Sequence, residues 1–354
     1  MTENQKSSRN VLLDLFRMYL AGAILLFHGW PFIEVYCSRY IPFYNGKLAV
    51  EGFFMIVGFF LAKECLIKKR TIVDSMKIKM KHIYPIFLWA MCFHLLEELG
   101  AAILGNGSLN RLFFLESDLL LLHGYAVPIV ALSIPVWYLS AMFFGICAIY
   151  PLVKKFGESF CLIYAPVIAF LLYGVLYNTY GKVVWGVYRE DVMRGDSMIL
   201  IRGCAGILLG VFAYAIVDIV KKIDFTKSGK IMIGIFYMFN IVSTTIWMSD
   251  SMSSDNNQFL IVLAWMNILV ITMSYKGGFV NRYINTHLWA EFSLCLYLNQ
   301  YYCLYAVRHF VDEEGIIPYV VYIITSIIAS FVCMKFARKL FGFIKKILIQ
   351  GTKE

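Results

Sequence analysis

Charged residues are scarce in this 354-residue sequence. Asp, Glu, Lys and Arg make up 16% of the chain, whereas hydrophobic residues make up 60% and the mean hydropathy is +0.70. This composition excludes an ordinary soluble domain and indicates a polytopic membrane protein. No linker, low-complexity segment or shift in composition separates a second domain. We therefore expect a single transmembrane domain over residues 1–354.

Paired cysteines and internal repeats are also absent. The nine cysteines are scattered, mostly within apolar segments, and none forms a CxxC pair. Their spacing predicts neither a zinc site nor a disulfide framework, so we expect no metal. No sequence repeat of the kind found in many transporters is visible. The formal charge of +9 does not indicate nucleic acid, because the asymmetric charge of the loops accounts for it.

Ten segments are apolar enough and long enough to cross a bilayer as helices. They are residues 11–30, 48–67, 83–104, 134–153, 160–179, 198–220, 231–249, 258–275, 286–307 and 316–343. The segment 112–132 is also apolar, but Glu116, Asp118, His123 and Pro128 interrupt it. We interpret it as an interfacial or re-entrant piece on the outer side.

The distribution of Lys and Arg predicts the orientation of these spans. With the N-terminus in the cytosol, 23 of the 32 Lys and Arg residues fall on the cytosolic side and 7 on the outer side. Such a bias follows the positive-inside rule. The sequence therefore predicts an all-α integral membrane protein with about ten transmembrane helices around a polar cavity and both termini in the cytosol.

The first predicted span carries three ionisable residues, Asp14, Arg17 and His28. Arg17 and His28 share one helix face, about 16 Å apart along the axis, and Asp14 lies within about 40° of that face. Charged groups at membrane depth normally face the bundle interior or a wet cavity. The stripe fits a structural role, with a snorkelling Arg17 and a hydrogen-bonded His28. It fits equally a catalytic role for an imidazole at the outer side.

Two further charged features have both a structural and a functional interpretation. Glu51 begins the second span at about the depth of His28, where it either orients the imidazole or is an interfacial charge favoured by the helix dipole. The stretch from Lys63 to His82 holds seven Lys and Arg residues. It acts either as an orientation signal beside anionic lipid or as a phosphate-binding surface. Lys79, Lys81 and His82 lead from it directly into the third span.

Polar and aromatic residues in the later spans are candidates for substrate contacts. The fourth span begins with Trp137, Tyr138 and Ser140, which form either an aromatic belt or a platform for sugar or acyl groups. The ninth span, which contains Tyr297, is too polar to face lipid and is expected to line the interior. His94 and Glu98 of the third span share one face, where a role in packing the bundle is favoured.

Five stretches together resemble the acyltransferase-3 family of membrane acyltransferases. They are LDLFRMYLAGAILLFHGW from Leu13, VEGFFMIVGFFLAK from Val50, KMKHIYPIF from Lys79, VWYLSAMFFGICAIYPL from Val136 and FSLCLYLNQ from Phe292. The sequence departs from the usual family pattern at four positions. Val57 replaces a Ser, Lys79 and His82 occupy an Arg-x-x-Arg pair, and Gln300 stands where a His is frequent.

This resemblance implies transfer of an acyl group, usually acetyl, from cytosolic acyl-CoA to a hydroxyl of a surface or secreted glycan or a lipid-linked sugar. It implies a multi-pass protein of a bacterial plasma membrane. Combined with the residue patterns, it assigns four groups of residues. They are His28 and Glu51 as catalytic, Arg17, Lys79, Lys81 and His82 as donor-binding, Trp137, Tyr138 and Tyr297 as substrate-binding, and Asp14 and Ser140 as structural polar residues. Whether His28 is a general base or a transient acyl carrier stays open.

Two other functions fit the same residues. In a transporter or flippase of a glycan or lipid-linked sugar, the polar groups would line a permeation path. In a non-catalytic assembly partner, the fold would be kept without the chemistry, which the four departures from the family pattern allow. Oligomeric state is not predicted.

Overall fold

The computed structural model describes residues 10–37, 39–105, 109–125, 132–183, 197–251, 255–275, 286, 288–310 and 315–350. The protein is all-α, as predicted, and its described part contains ten helices of 16 or more residues. These are α1 (Val11–Gly29), α2 (Ala49–Leu66), α3 (Ile72–Ile103), α4 (Val136–Ser159), α5 (Ala165–Tyr180), α6 (Met198–Val220), α7 (Lys227–Ser249), α8 (Asp255–Ser274), α9 (Trp289–Phe310) and α10 (Ile316–Gln350).

Seven helical stretches in the described residues are long and apolar enough to cross a membrane. One of them, Val136–Tyr180, joins α4 and α5 through a kink at Gly157, whose φ of 60° is left-handed, and through one π-helical turn. Helices α2 and α9 are not among the seven. Helix α2 carries Glu51, Lys63 and Glu64 within its 18 residues, and α9 is rich in polar side chains. The count of ten spans stays a prediction.

The predicted basic loop before the third span is mostly helical, which corrects the expected boundary. Helix α3 begins at Ile72, because the Thr71 side chain caps it by accepting a hydrogen bond from the Asp74 backbone N–H at 3.1 Å. Pro85 lies inside the same helix and does not end it. Lys79, Lys81 and His82 therefore project from a helix rather than from a loop.

Glycines allow α2 and α6 to pack with their backbones almost in contact. A Cβ atom on Gly58 would lie 1.9 Å from the Ile207 carbonyl oxygen, and one on Gly210 would lie 2.0 Å from the Met55 carbonyl oxygen. Small residues favour such close approach in membrane helix pairs, where van der Waals packing drives association. This contact brings Glu51 of α2 next to Arg202 of α6.

The segment predicted to be interfacial supports the start of α4. It contains a 3₁₀ stretch, Leu109–Phe114, and a short helix, Leu115–Leu119, while residues 126–131 lie outside the described part. Buried Asp118 contacts His123 Nε2 at 2.5 Å and accepts hydrogen bonds from the backbone N–H groups of Leu132 and Ser133 at 2.8 and 3.2 Å. These bonds hold the chain just before Trp137.

Helix α1 runs from one end of the bundle, the near end, to the other, the far end. The near end is where α1 begins, with the Asn10 side chain capping it by accepting a hydrogen bond from Leu13 N–H at 3.3 Å. The far end is where α1 ends, at Gly29. In the predicted topology the near end faces the cytosol.

Candidate functional site

A cavity of about 830 Å³ opens at the near end of the bundle. We call it the near cavity. All four residues predicted to bind the donor line it, together with two basic residues that were not predicted. The basic lining consists of Arg17, Lys68, Lys79, Lys81, His82 and Arg338. Its volume falls in the range of about 300–1,000 Å³ that is usual for sites that bind small molecules and cofactors.

Carboxylates balance part of this positive charge. Glu64 contacts Lys79 Nζ at 3.1 Å and Arg70 at 3.5 Å, and Glu291 contacts Arg338 at 2.5 Å. Glu64 and Glu291 both line the near cavity. Because basic side chains outnumber the acidic ones in the described lining, the near cavity is suited to a polyanionic ligand.

Asp14 and Ser140, the two residues predicted to be structural, are both buried and hydrogen-bonded. Asp14 is buried, lies 3.5 Å from Arg17 and accepts a hydrogen bond from Thr286 Oγ1 at 2.8 Å. It therefore ties α1 to the residues before α9 while holding the guanidinium of Arg17 at the cavity. Ser140 is buried and donates to the Val136 carbonyl oxygen at 3.3 Å within α4.

A second cavity, of about 400 Å³, lies toward the far end. We call it the far cavity. The last turn of α1 places His28 in its wall, and the start of α4 places Trp137 there. Aromatic and aliphatic side chains together make up most of the lining, which is typical of sites that orient a ligand with a few polar groups. Its aromatic members are Phe27, Trp30, Trp137, Tyr297, Tyr301 and Tyr305.

The imidazole of His28 is part of the wall of the far cavity. The Tyr301 ring meets the imidazole edge-on, with 4.8 Å between the ring centroids, and the Gln300 side chain lies beside it. The Nδ1 atom is buried and has no hydrogen-bond partner among the described residues. Leaving a buried polar atom without a hydrogen bond costs about 1–3 kcal/mol, so His28 is held in this position by the packing around it.

The partner of Glu51 is Arg202, not His28, which corrects the predicted pairing. Glu51 is fully buried and contacts Arg202 Nε at 2.5 Å, while Tyr173 donates its hydroxyl to the other carboxylate oxygen at 2.5 Å. Arg202 also donates to the Lys47 carbonyl oxygen at 3.0 Å and lies over the Trp137 ring, 4.8 Å from its centroid. Arg202 lines the far cavity, whereas Glu51 is not in its wall.

Tyr297 of α9 lines both cavities. Its ring lies 5.4 Å from that of Tyr138 and 6.2 Å from that of Phe53, measured between centroids, and both of these line the near cavity. Its hydroxyl donates to the Pro135 carbonyl oxygen at 3.3 Å. Tyr297 is therefore shared by the two cavities, and Tyr138 and Phe53 pack beside it on the near side. The three predicted substrate-binding residues are therefore divided, with Trp137 on the far side, Tyr138 on the near side and Tyr297 on both.

Sequence reasoning missed several residues of these walls. Arg202 was counted as a charge within a span but not considered as a site residue, although a charge inside an apolar helix is itself a signal of function. Lys47 and Arg308 in the far cavity, and Lys68 and Arg338 in the near cavity, were assigned only to loops that set the topology. No local pattern distinguishes them from other loop charges.

A comparison with protein families supports the resemblance noted above. The family model described as an acyltransferase domain, acyltransferase 3, matches residues 10–335, which is nearly the whole chain. No curated protein and no solved structure matches the sequence.

Proposed function

Since this chain belongs to the acyltransferase-3 family, we propose that it transfers an acyl group, usually acetyl, from acyl-CoA to a glycan hydroxyl. Its membership and its apolar helices make it a membrane acyltransferase. The identity of the donor, the acceptor and the acyl group is our proposal. In it, the donor binds in the near cavity and the acceptor in the far cavity.

The observation that carries this proposal is the shared wall at Tyr297. A transferase that joins substrates from opposite membrane faces needs two sites that meet. Arg17, near the start of α1, lines the near cavity, His28, at the end of α1, lines the far cavity, and Tyr297 belongs to both. The reacting thioester and the acceptor hydroxyl would therefore meet beside Tyr297, on the side where His28 lies.

The donor site would use the basic lining of the near cavity. Coenzyme A carries several phosphate charges, which Lys and Arg bind as point charges or through paired hydrogen bonds. Lys79, Lys81 and His82 project from α3, and Arg17 lies deeper on α1. This arrangement supports phosphate binding at the near end, with the thioester directed toward the aromatic wall.

In the proposed chemical step, His28 removes the proton of the sugar hydroxyl as its oxygen attacks the thioester carbonyl carbon. The new C–O bond forms, the C–S bond breaks, and the thiolate of coenzyme A leaves with the proton returned from the imidazolium. A positioned base of this kind contributes about 10²–10⁴-fold to the rate. If His28 instead carries the acyl group transiently, the same atoms exchange in two steps through an acyl-imidazole.

The test replaces His28 by Gln and by Ala in the full chain and measures acyl transfer and acyl-CoA binding separately. We expect transfer to fall at least 100-fold while acyl-CoA still binds, because His28 is outside the near cavity. His309→Gln is the matched control, since His309 pairs with Glu97 at 2.9 Å and lines neither cavity. Full activity of His28→Gln would show that the imidazole is structural.

Two cavities with a common wall also fit a transporter or flippase. The functions differ in what they need: an enzyme transfers or hydrolyses the acyl group in detergent, whereas a transporter works only across a sealed membrane. Transfer from acyl-CoA by the purified protein in detergent would support the enzyme. Vesicle-dependent movement of a glycan without acyl transfer would support the transporter.

The proposal includes ten spans in a bacterial plasma membrane, with both termini in the cytosol. Cysteines introduced at positions 2 and 352 would test the orientation, with labelling reagents that do not cross the membrane. Labelling of either position from outside would contradict the topology, and with it the access of cytosolic acyl-CoA to the near cavity.

A further inference from the structure

The charged residues in the described lining of the far cavity are all basic. They are Lys47, Arg202 and Arg308, and no carboxylate lies among the described residues of this wall. Glu51 balances Arg202 from behind, at 2.5 Å. The near cavity differs, because Glu64 and Glu291 are part of its own lining. The described lining of the far cavity therefore contributes basic groups and no acidic group.

Arg308 is the residue best placed to recognise a ligand charge. It belongs to the last turn of α9, and its side chain is exposed at the cavity. Its guanidinium lies over the Phe32 ring, 5.7 Å from the centroid, and forms no ion pair within the described part of the chain. A guanidinium held against an aromatic ring keeps its planar set of donors directed outward, which suits bidentate binding of a carboxylate or phosphate.

The remaining wall of the far cavity suits a sugar ring. Six aromatic side chains belong to it, and Trp137 and Tyr301 flank Arg202 and His28 respectively. A volume of about 400 Å³ is near the lower end of the range for small-ligand sites, so the cavity takes a short terminal segment of a glycan. His28 at one side and Arg308 at another define two polar contacts for that segment.

We propose that the acceptor is an anionic glycan, with a carboxylate or phosphate group near the hydroxyl that is acylated. This inference rests on the proposed function and specifies its acceptor. Arg308 and Lys47 bind the negative group, while the aromatic wall holds the sugar ring beside His28. Because Lys47, Arg202 and Arg308 are all positively charged, the far cavity also disfavours cationic sugars and gives neutral sugars no charge-assisted contact.

The test measures binding to the full-length protein in detergent without acyl-CoA, by titration calorimetry. The probes are a trigalacturonate, its neutral methyl ester and glucose 1-phosphate. We expect at least one anionic probe to bind about tenfold more tightly than the methyl ester, and its affinity to fall as salt screens the attraction. Whichever anionic probe binds more tightly identifies a carboxylate or a phosphate as the recognised group.

Variants of Arg308 connect this preference to the cavity. Arg308→Gln should weaken binding of the preferred anionic probe about tenfold without affecting the methyl ester, and Arg308→Lys should retain part of the preference. Arg39→Gln is the matched control, because Arg39 pairs with Asp250 at 3.0 Å and lines neither cavity. The proposal is overturned if neither anionic probe binds more tightly than the methyl ester, or if Arg308→Gln keeps the full preference.

This experiment separates the acceptor proposal from the proposed function. Binding is measured without donor, so a protein that prefers anionic sugars but transfers no acyl group would contradict only the transferase mechanism. A protein that acylates neutral sugars and shows no preference for anions would contradict only the acceptor proposal.

Discussion

Replacing Glu51 by Gln removes one partner of a buried ion pair while keeping the size of the side chain. Glu51 is fully buried, Arg202 is 4% exposed, and Arg202 and Tyr173 each contact the carboxylate at 2.5 Å. Leaving one buried charge without its partner typically costs about 3–5 kcal/mol. Because Arg202 also lines the far cavity, part of its charge can be solvated, and we expect about 3 kcal/mol.

The assay is thermal unfolding of the purified protein in detergent. At about 2 °C per kcal/mol for a large chain, Glu51→Gln should lower the midpoint by about 6 °C. The double variant Glu51→Gln with Arg202→Met should recover much of this loss, since no unpaired charge is left inside. Asp218→Asn is the matched control, because the Asp218–Lys222 pair of the same α6 region is exposed and should contribute little.

An unchanged midpoint for Glu51→Gln, or a double variant less stable than the single one, would refute this reasoning. The same variant also tests the rejected pairing with His28. If Glu51 did orient the imidazole, Glu51→Gln would lower acyl transfer and change its pH dependence at an unchanged midpoint.

Two other predictions concern the donor site and the packing of the bundle. The double variant Lys79→Ala, Lys81→Ala should weaken the binding of coenzyme A about tenfold at low salt and should make that binding less dependent on salt. Glu64→Gln should strengthen the binding of coenzyme A, because it releases Lys79 from its ion pair. Titrations with coenzyme A at low and high salt check both expectations. An unchanged affinity in all variants would place the phosphates elsewhere. Gly210→Ala should lower the unfolding midpoint, because its Cβ would lie 2.0 Å from the Met55 carbonyl oxygen. Gly174→Ala is the control, since Gly174 has open space around it, and it should leave the midpoint unchanged or raise it slightly. Equal midpoints for the two glycine variants would contradict the close packing of α2 and α6.

Local features of the sequence were sufficient to predict the helical class and the family resemblance. Hydropathy and helical periodicity are properties of neighbouring residues, so the apolar helices and the shared face of Arg17 and His28 could be predicted from α1 alone. Lys79, Lys81 and His82 line one cavity together because they belong to a single helix, and their role in donor binding stays a prediction. The family resemblance, which the family comparison confirms, follows from motifs of the same local kind.

Tertiary packing alone decided which polar residues meet. Glu51 and Arg202 are 151 positions apart in the sequence, and they pair because glycines let α2 and α6 approach to backbone contact. The depth of Glu51 suggested His28 as its partner, but depth does not specify the direction in which a helix faces. For the same reason, the division of Trp137, Tyr138 and Tyr297 between two cavities depends on the rotation of α4 and α9 within the bundle. That rotation is set by side-chain packing between helices that are distant in sequence, which no local pattern encodes.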